Sequence, residues 1–142
     1  MIAIEETCCQ VLDPVVEEFG SVELAHGFCS RELAMAIRGG IAPLLDQHAG
    51  HERGPRGSLI CKRLGFAVDF RVAGCSSLEV AQWVVSNTPF DRLYFFGSDR
   101  PIHVSVGPDN SRAIVLIREY GAERRRIPQR IKEHKFLSLN DG

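Results

Sequence analysis

The nine residues Leu64-Gly65-Phe66-Ala67-Val68-Asp69-Phe70-Arg71-Val72 decide the fold. Phe66, Val68, Phe70 and Val72 alternate with Ala67, Asp69 and Arg71, which is the period of a strand with one face on a core. Asp69 therefore points away from the apolar face. A second segment, Pro101-Ile102-His103-Val104-Ser105-Val106, repeats the pattern: Ile102, Val104 and Val106 share one face, His103 and Ser105 the other. Two strands of one sheet would thus present an acid and an imidazole on the same polar face, where both can converge on one metal ion or one proton.

Working outward, Thr7 to Phe19 reads as a helix with Val11, Leu12, Val15 and Val16 on one side, its regular part starting near Pro14 and closed by Gly20. Ser21 to His26 reads as a short strand. Ser30 is a good N-cap for a helix over Arg31 to Asp46, with Leu33, Ala36, Ile37, Ile41, Leu44 and Leu45 as its apolar stripe. Gly39-Gly40 breaks or kinks that helix, and Pro43 can start a second one. Gln47 to Ser58 is a polar, glycine-punctuated loop that holds His48, His51 and Glu52.

After the Asp69 strand, Ser76-Ser77-Leu78-Glu79 has the form of a capping box and opens a helix ending around Asn87-Thr88-Pro89. Leu93 to Phe96 is strand-like, and Gly97 to Pro101 is a turn of hairpin length that sets Tyr94 beside His103. Ala113 to Ile117 is expected as a third antiparallel strand. The elements predict an α+β domain: a small, mostly antiparallel sheet, helices packed on one face, and the polar face open as a cleft.

A family resemblance now enters on specific residues. Gly65-x-Ala67-x-Asp69, the segment Phe90-Asp91-Arg92-Leu93-Tyr94 and His103-Val104-Ser105 together resemble the zinc D-Ala-D-Ala carboxypeptidases and endolysin peptidases of the M15 type, which share a fold with the Hedgehog signalling domain. The resemblance runs over roughly residues 9 to 107 and includes Gly27-Phe28-Cys29-Ser30, where those peptidases carry Ser-Gly-Tyr-Arg-Ser. It implies a Hedgehog/DD-peptidase-like fold, bound zinc, and a bacterial or phage setting.

The chain departs from that pattern at three positions. Lys62 stands where the first zinc-binding histidine is expected, Cys29 at the arginine that holds a substrate carboxylate, and Phe96 at the glutamate general base. Asp69 and His103 remain as metal ligands, and the third ligand is His48, displaced by an insertion over Ala49 to Leu64, or else His51 or Cys61; zinc accepts all three donor types. Glu52 and Asp46 are the carboxylates available as base, and Arg63 and Arg100 the guanidinium groups available as anion clamp.

The chain has 142 residues, 44% hydrophobic and 25% charged, the size and composition of one globular domain. No apolar run reaches membrane-span length, and residues Met1 to Glu6 lack the features of a signal peptide. The five cysteines, at positions 8, 9, 29, 61 and 75, include an adjacent pair and form no disulfide framework. A cytoplasmic protein with reduced thiols is expected.

Net charge is −1, but the segment 124 to 135 carries +5 against −6 elsewhere. Residues 1 to 118 are accordingly read as the domain and 119 to 142 as a basic C-terminal tail that folds onto the body, meets a phosphate-rich partner, or is solvated. Three functions fit: a divergent zinc-dependent hydrolase of a peptide or small amide, a non-catalytic binding module on the same fold, and a nucleic-acid-associated accessory protein using the basic tail.

Overall fold

The structure, a computed structural model, describes residues 2–37 and 45–142. The elements in chain order are α1 (Ala3–Thr7), a π-helical turn (Cys8–Leu12), α2 (Asp13–Phe19), β1 (Val22–His26), α3 (Arg31–Ala36), a 3₁₀ turn (Gln47–Ala49) and β2 (Phe66–Val72). There follow α4 (Ser77–Asn87), β3 (Arg92–Phe95), β4 (Ile102–Val106), β5 (Ala113–Tyr120), β6 (Arg125–Ile131) and α5 (Glu133–Leu137).

The strands form one six-stranded sheet in the order β1-β2-β4-β3-β5-β6. Every neighbouring pair is antiparallel except β3 with β5. The alternation read from sequence sets the two faces. Val68 pairs with Val104, Val104 with Leu93 and Leu93 with Ile114, an apolar row buried beneath the helices. Val11 and Val15 from the first helical segment, Val80, Val84 and Val85 from α4 and Phe136 from α5 complete that core.

The first helical segment begins earlier than the sequence suggested, at Ala3, and runs into Pro14 through the π turn. A proline ring clashes with the carbonyl four residues back; the wider turn, in which the Asp13 amide donates to Cys8 O, lets the helix continue through it. Ser30 caps α3 by accepting from the Leu33 amide. No residue of α3 is buried, so the stripe of Leu33, Ala36 and Ile37 does not join the main core; Ala34 and Ile37 instead border the cleft on the open face. Ile41, Leu44, Gly39-Gly40 and Pro43 lie in or at the stretch outside the described residues, apart from Leu45, which is exposed.

The third strand after the hairpin is a correction. β5 pairs parallel to β3 because β4 already sits between β2 and β3, so the chain leaving β4 crosses beneath the start of β3 and comes up on its free side. Asp91 pins that crossing. Its carboxylate accepts from the Ser111 amide at 2.8 Å, and its carbonyl accepts from the Ser111 hydroxyl at 2.8 Å and the Ala113 amide at 2.9 Å.

The basic segment folds onto the body. The boundary read at residue 118 falls inside β5, and β6 pairs with β5 over Ile114 to Tyr120. Phe136 of α5 is fully buried against Phe95, the Gln82 amide donates to Phe136 O and Leu139 O, and Asp141 accepts from the hydroxyls of Ser76 and Ser98.

Candidate metal centre

Asp69 and His103 face each other in the β2–β4 register, and the hairpin places Tyr94 on the other side of His103. His103 Nδ1 lies 2.8 Å from Asp69 Oδ1. The third group is His48, whose Nε2 lies 2.9 Å from the same carboxylate oxygen and 3.1 Å from His103 Nδ1. His48 and His103 are buried and Asp69 is partly exposed, so the cluster opens on the carboxylate side.

His48 arrives there through an explicit set of anchors. The Asp46 carboxylate caps the 3₁₀ turn by accepting from the His48 amide at 3.0 Å. Gln47, buried, donates to Leu64 O at 2.9 Å and Asp91 Oδ2 at 3.0 Å and accepts from the Ser105 hydroxyl at 2.7 Å. The Cys29 amide donates to His48 O at 3.0 Å. Between His48 and β2 the chain makes a closed excursion, with a bridge between Arg53 and Leu59, and returns at Leu64 and Gly65. Gly65 is at φ +107°, and a Cβ there would stand 2.0 Å from Val106 O, so the glycine of Gly-x-Ala-x-Asp is demanded by close backbone crossing.

The remaining sequence candidates take other places. His51 Nε2 accepts from the Gly65 amide at 3.2 Å and closes the excursion. Cys61 is buried with Ala49 and Ile60 in a separate apolar cluster. Glu52 accepts from the Arg31 amide and lines a different hollow with Ile2, Phe28 and His51. Arg63 donates to the Tyr94 hydroxyl at 3.0 Å and to Leu45 O at 3.3 Å. Asp46 and Arg100 both line the cavity over the cluster.

That cavity, about 520 Å³, lies within the range of small-molecule sites. Phe96 and Cys29 also line it. Sequence reasoning missed two contributors, His26 and Arg126. His26 pairs with Asp69 across a β-bulge, and its ring packs edge-on to His48 with centroids 4.5 Å apart. The signal was weak: His26 ends a strand whose other residues are largely exposed.

Charge in the cluster is shared. Burial opposes ionisation of Asp69, but hydrogen bonds from both imidazoles hold its carboxyl well below the usual range. Burial lowers the His48 pKa, yet the Asp69 bond and charge outweigh it and leave it raised. For His103, burial dominates and the pKa is lowered. The two imidazoles are thus shifted in opposite directions by the same carboxylate and by burial, with His48 the more basic. The Ala67 backbone also favours protonated His48, although Nδ1 of that ring makes no hydrogen bond of acceptable geometry.

The donor set fits a divalent ion. Ligands at 2.0–2.1 Å in a tetrahedral site stand about 3.3 Å apart, and the three atoms are already within a few tenths of an ångström of that spacing. Two imidazole nitrogens and a carboxylate oxygen are donors that a divalent transition ion accepts, and the partly exposed Asp69 faces the cavity. Among the described residues no helix is long and apolar enough to cross a membrane. Comparison with protein-family models, with curated proteins and with solved structures finds no match.

Proposed function

We propose that the chain is a divergent zinc-dependent hydrolase with a Hedgehog/DD-peptidase-like fold, acting on a small peptide or amide other than an ordinary D-Ala-D-Ala stem peptide. The observation that carries this reading is the convergence of His48 Nε2, Asp69 Oδ1 and His103 Nδ1 on one point at the floor of the cavity. His48, Asp69 and His103 would hold a divalent ion, which when bound would supply Lewis-acid polarisation of a carbonyl and acidify a water. The chain's own residues supply the rest. Asp46 is the cavity carboxylate outside the ligand set and the candidate to hold the displaced proton. The Tyr94 hydroxyl is oriented by Arg63, and Ala34, Ile37 and Phe96 give apolar contact to the ligand body.

A second reading, a non-catalytic binding module, has its own observation. Asp46 Oδ1 is engaged by the His48 amide, and an aromatic ring lines the cavity where the resemblance puts the base. A lost positioned base removes about 10²–10⁴ in rate. The deciding experiment combines zinc content of protein purified without a histidine tag with hydrolysis of a short-peptide panel and a muropeptide, for wild type, His103→Ala and Asp46→Asn. One zinc per chain, slow hydrolysis of short peptides, and loss of both in His103→Ala support the hydrolase. Zinc without turnover selects the binding module. Absence of zinc in wild type reconstituted with the ion removes the hydrolase and leaves a metal-free binding module.

A further inference from the structure

We infer that the outer half of the β5–β6 hairpin is a docking surface for duplex DNA, gripped through its phosphates by Arg118, Arg124 and Arg125. The surface is separate from the His48 cluster and does not rest on the hydrolase reading. β3 pairs with β5 only as far as Leu116, so from Ile117 to Tyr120 β5 is paired with β6 alone. Four residues at about 3.4 Å each carry this two-stranded ribbon roughly 14 Å past the end of that pairing, with the Gly121–Arg124 turn beyond. Every residue from Arg118 to Arg130 is exposed. Ile114 and Leu116 point into the core. By alternation Arg118 and Tyr120, with Ile127 and Arg125 opposite them in register, continue that face past the point where the core ends.

The ribbon is strongly basic. Residues 117 to 132 hold six arginine or lysine side chains against two glutamates. Glu119 stands on the opposite face, in register with Arg126, which is engaged with it and with the Phe96 ring. Arg118, Arg124 and Arg125 make no ion pair or side-chain hydrogen bond among the described residues. Asp99 shares a shallow hollow with Arg118 and Tyr120 but forms no ion pair with the arginine. Like charges crowded on a two-stranded hairpin repel, and a polyanion removes that repulsion. Three features choose among polyanionic and other occupants. Pro128 lacks an N–H and stands on the outer strand among arginines, which blocks addition of another β-strand, whether from a peptide or from a second copy. The tip, Gly121-Ala122-Glu123-Arg124, is small and charged, unlike a segment that enters a bilayer. The three guanidinium groups have no partner that fixes their geometry, so they suit a regular polyanion, with a charge about every 1.7 Å of axis, that needs no preset match. A two-stranded ribbon fits the major groove of B-form DNA, about 12 Å wide, where Tyr120 and Ile127 give apolar contact to thymine methyl groups; the deep, narrow groove of A-form RNA does not admit it.

The test uses the full chain and a fluorescein-labelled, random-sequence DNA duplex of about 20 bp, titrated by anisotropy between about 50 and 200 mM salt. Three contacted phosphates give a log–log salt slope of about −2.7, so affinity falls about 40-fold across that range. Arg118→Gln/Arg125→Gln is expected to weaken binding about 10-fold or more at the lower salt and to bring the slope to about −1. The charge-matched control Arg31→Gln/Arg56→Gln, on α3 and in the excursion before β2, is expected to change affinity less than about 3-fold. All four of these arginines have exposed side chains without partners among the described residues, so both variants fold, which thermal melting checks. Duplex binding absent at the lower salt, or weakened no more by the ribbon variant than by the control, overturns the inference. Equal or tighter binding of double-stranded RNA, of poly-glutamate, or of phosphatidylserine–phosphatidylcholine vesicles overturns the assignment of the partner as DNA.

Discussion

Replacing Asp91 by asparagine is expected to destabilise the fold and weaken metal binding at His48 together. Asp91 is fully buried, and its two oxygens accept from Gln47 Nε2 at 3.0 Å and the Ser111 amide at 2.8 Å, with Arg92 Nε 3.6 Å away. Asparagine keeps the shape but sets an NH₂ against one of those donors. Turning the Gln47 amide to meet it sets Gln47 Oε1 against the Leu64 carbonyl, which now receives the Gln47 donor. One charge-assisted hydrogen bond is lost at about 1.5–3 kcal/mol, and a buried polar group is left unsatisfied at about 1–3 kcal/mol more. The sum, about 2.5–6 kcal/mol, is a large share of a typical total stability of about 5–15 kcal/mol and corresponds to a fall in Tm of about 8–20 °C. Because Gln47 directly precedes His48, its loosening acts as loss of an outer-shell partner, about 10–100-fold in zinc affinity. Urea unfolding and zinc titration with a competing chelator measure the two effects. A variant within about 1 kcal/mol of wild type would refute the burial argument; a destabilised variant with unchanged zinc affinity would refute the claim that Gln47 positions the ligand.

Zinc binding should release protons, more of them as pH falls, because the His48 pKa is raised and its imidazolium must lose a proton to ligate, while the His103 pKa is lowered; calorimetry in buffers of different ionisation heat reads the number against pH, and release that does not change with pH contradicts the direction of the His48 shift. In the metal-free protein, the depressed Asp69 carboxyl contributes stability that is complete above the unfolded pKa of about 4 and is lost as pH falls toward the folded value, while raised His48 contributes below about 6.5 and is lost as pH rises through its folded pKa. Denaturation midpoints of wild type, Asp69→Asn and His48→Gln across that range check both signs. Gly65→Ala should cost more than about 3 kcal/mol, because a Cβ would meet Val106 O at 2.0 Å, whereas Gly57→Ala, with positive φ but nothing within 4 Å, should cost about 1 kcal/mol; equal costs would show that the crossing at Gly65 relaxes. All five thiols should titrate in denatured, reduced protein, with exposed Cys9 fast in the native state and buried Cys29 and Cys61, whose pKa values burial pushes up, slow.

The sheet was legible because its strands obey one rule over their full length: in β2 and β4 every second residue is apolar and buried, so periodicity alone gives the faces and the side on which Asp69 and His103 stand. The parallel placement of β5 was not legible. Alternation tells which way side chains point but not which edge a strand joins, and the information sits in a buried aspartate, Asp91, whose partners lie 20 and 44 residues away. The strand within the basic segment was not legible for the same reason in reverse. Its β6 residues are almost all exposed, so no apolar alternation marks a strand, and it is held by backbone pairing with β5 and by Phe136 beyond it.

The His48–Asp69–His103 cluster shows how a residue distant in sequence reaches the open face of the sheet. His48 is separated from Asp69 by a segment long enough that sequence spacing carries no geometric information, and three donor candidates stood open along it. What selects among them is the closure of the excursion. Gln47 and His51, on one side, bond to Leu64 O and the Gly65 amide on the other, so the chain leaves and re-enters at nearly the same place. A loop whose ends are tied in this way costs little more as it lengthens, because loop-closure entropy grows only slowly with length. His51 is spent on that closure and Cys61 lies buried inside the excursion, which leaves His48, between the two closing residues Gln47 and His51 and capped by Asp46, as the residue delivered to the sheet face. The glutamine between Asp46 and His48 is thus a positioning residue: its side chain fixes the one backbone turn from which an imidazole reaches Asp69 and His103 together.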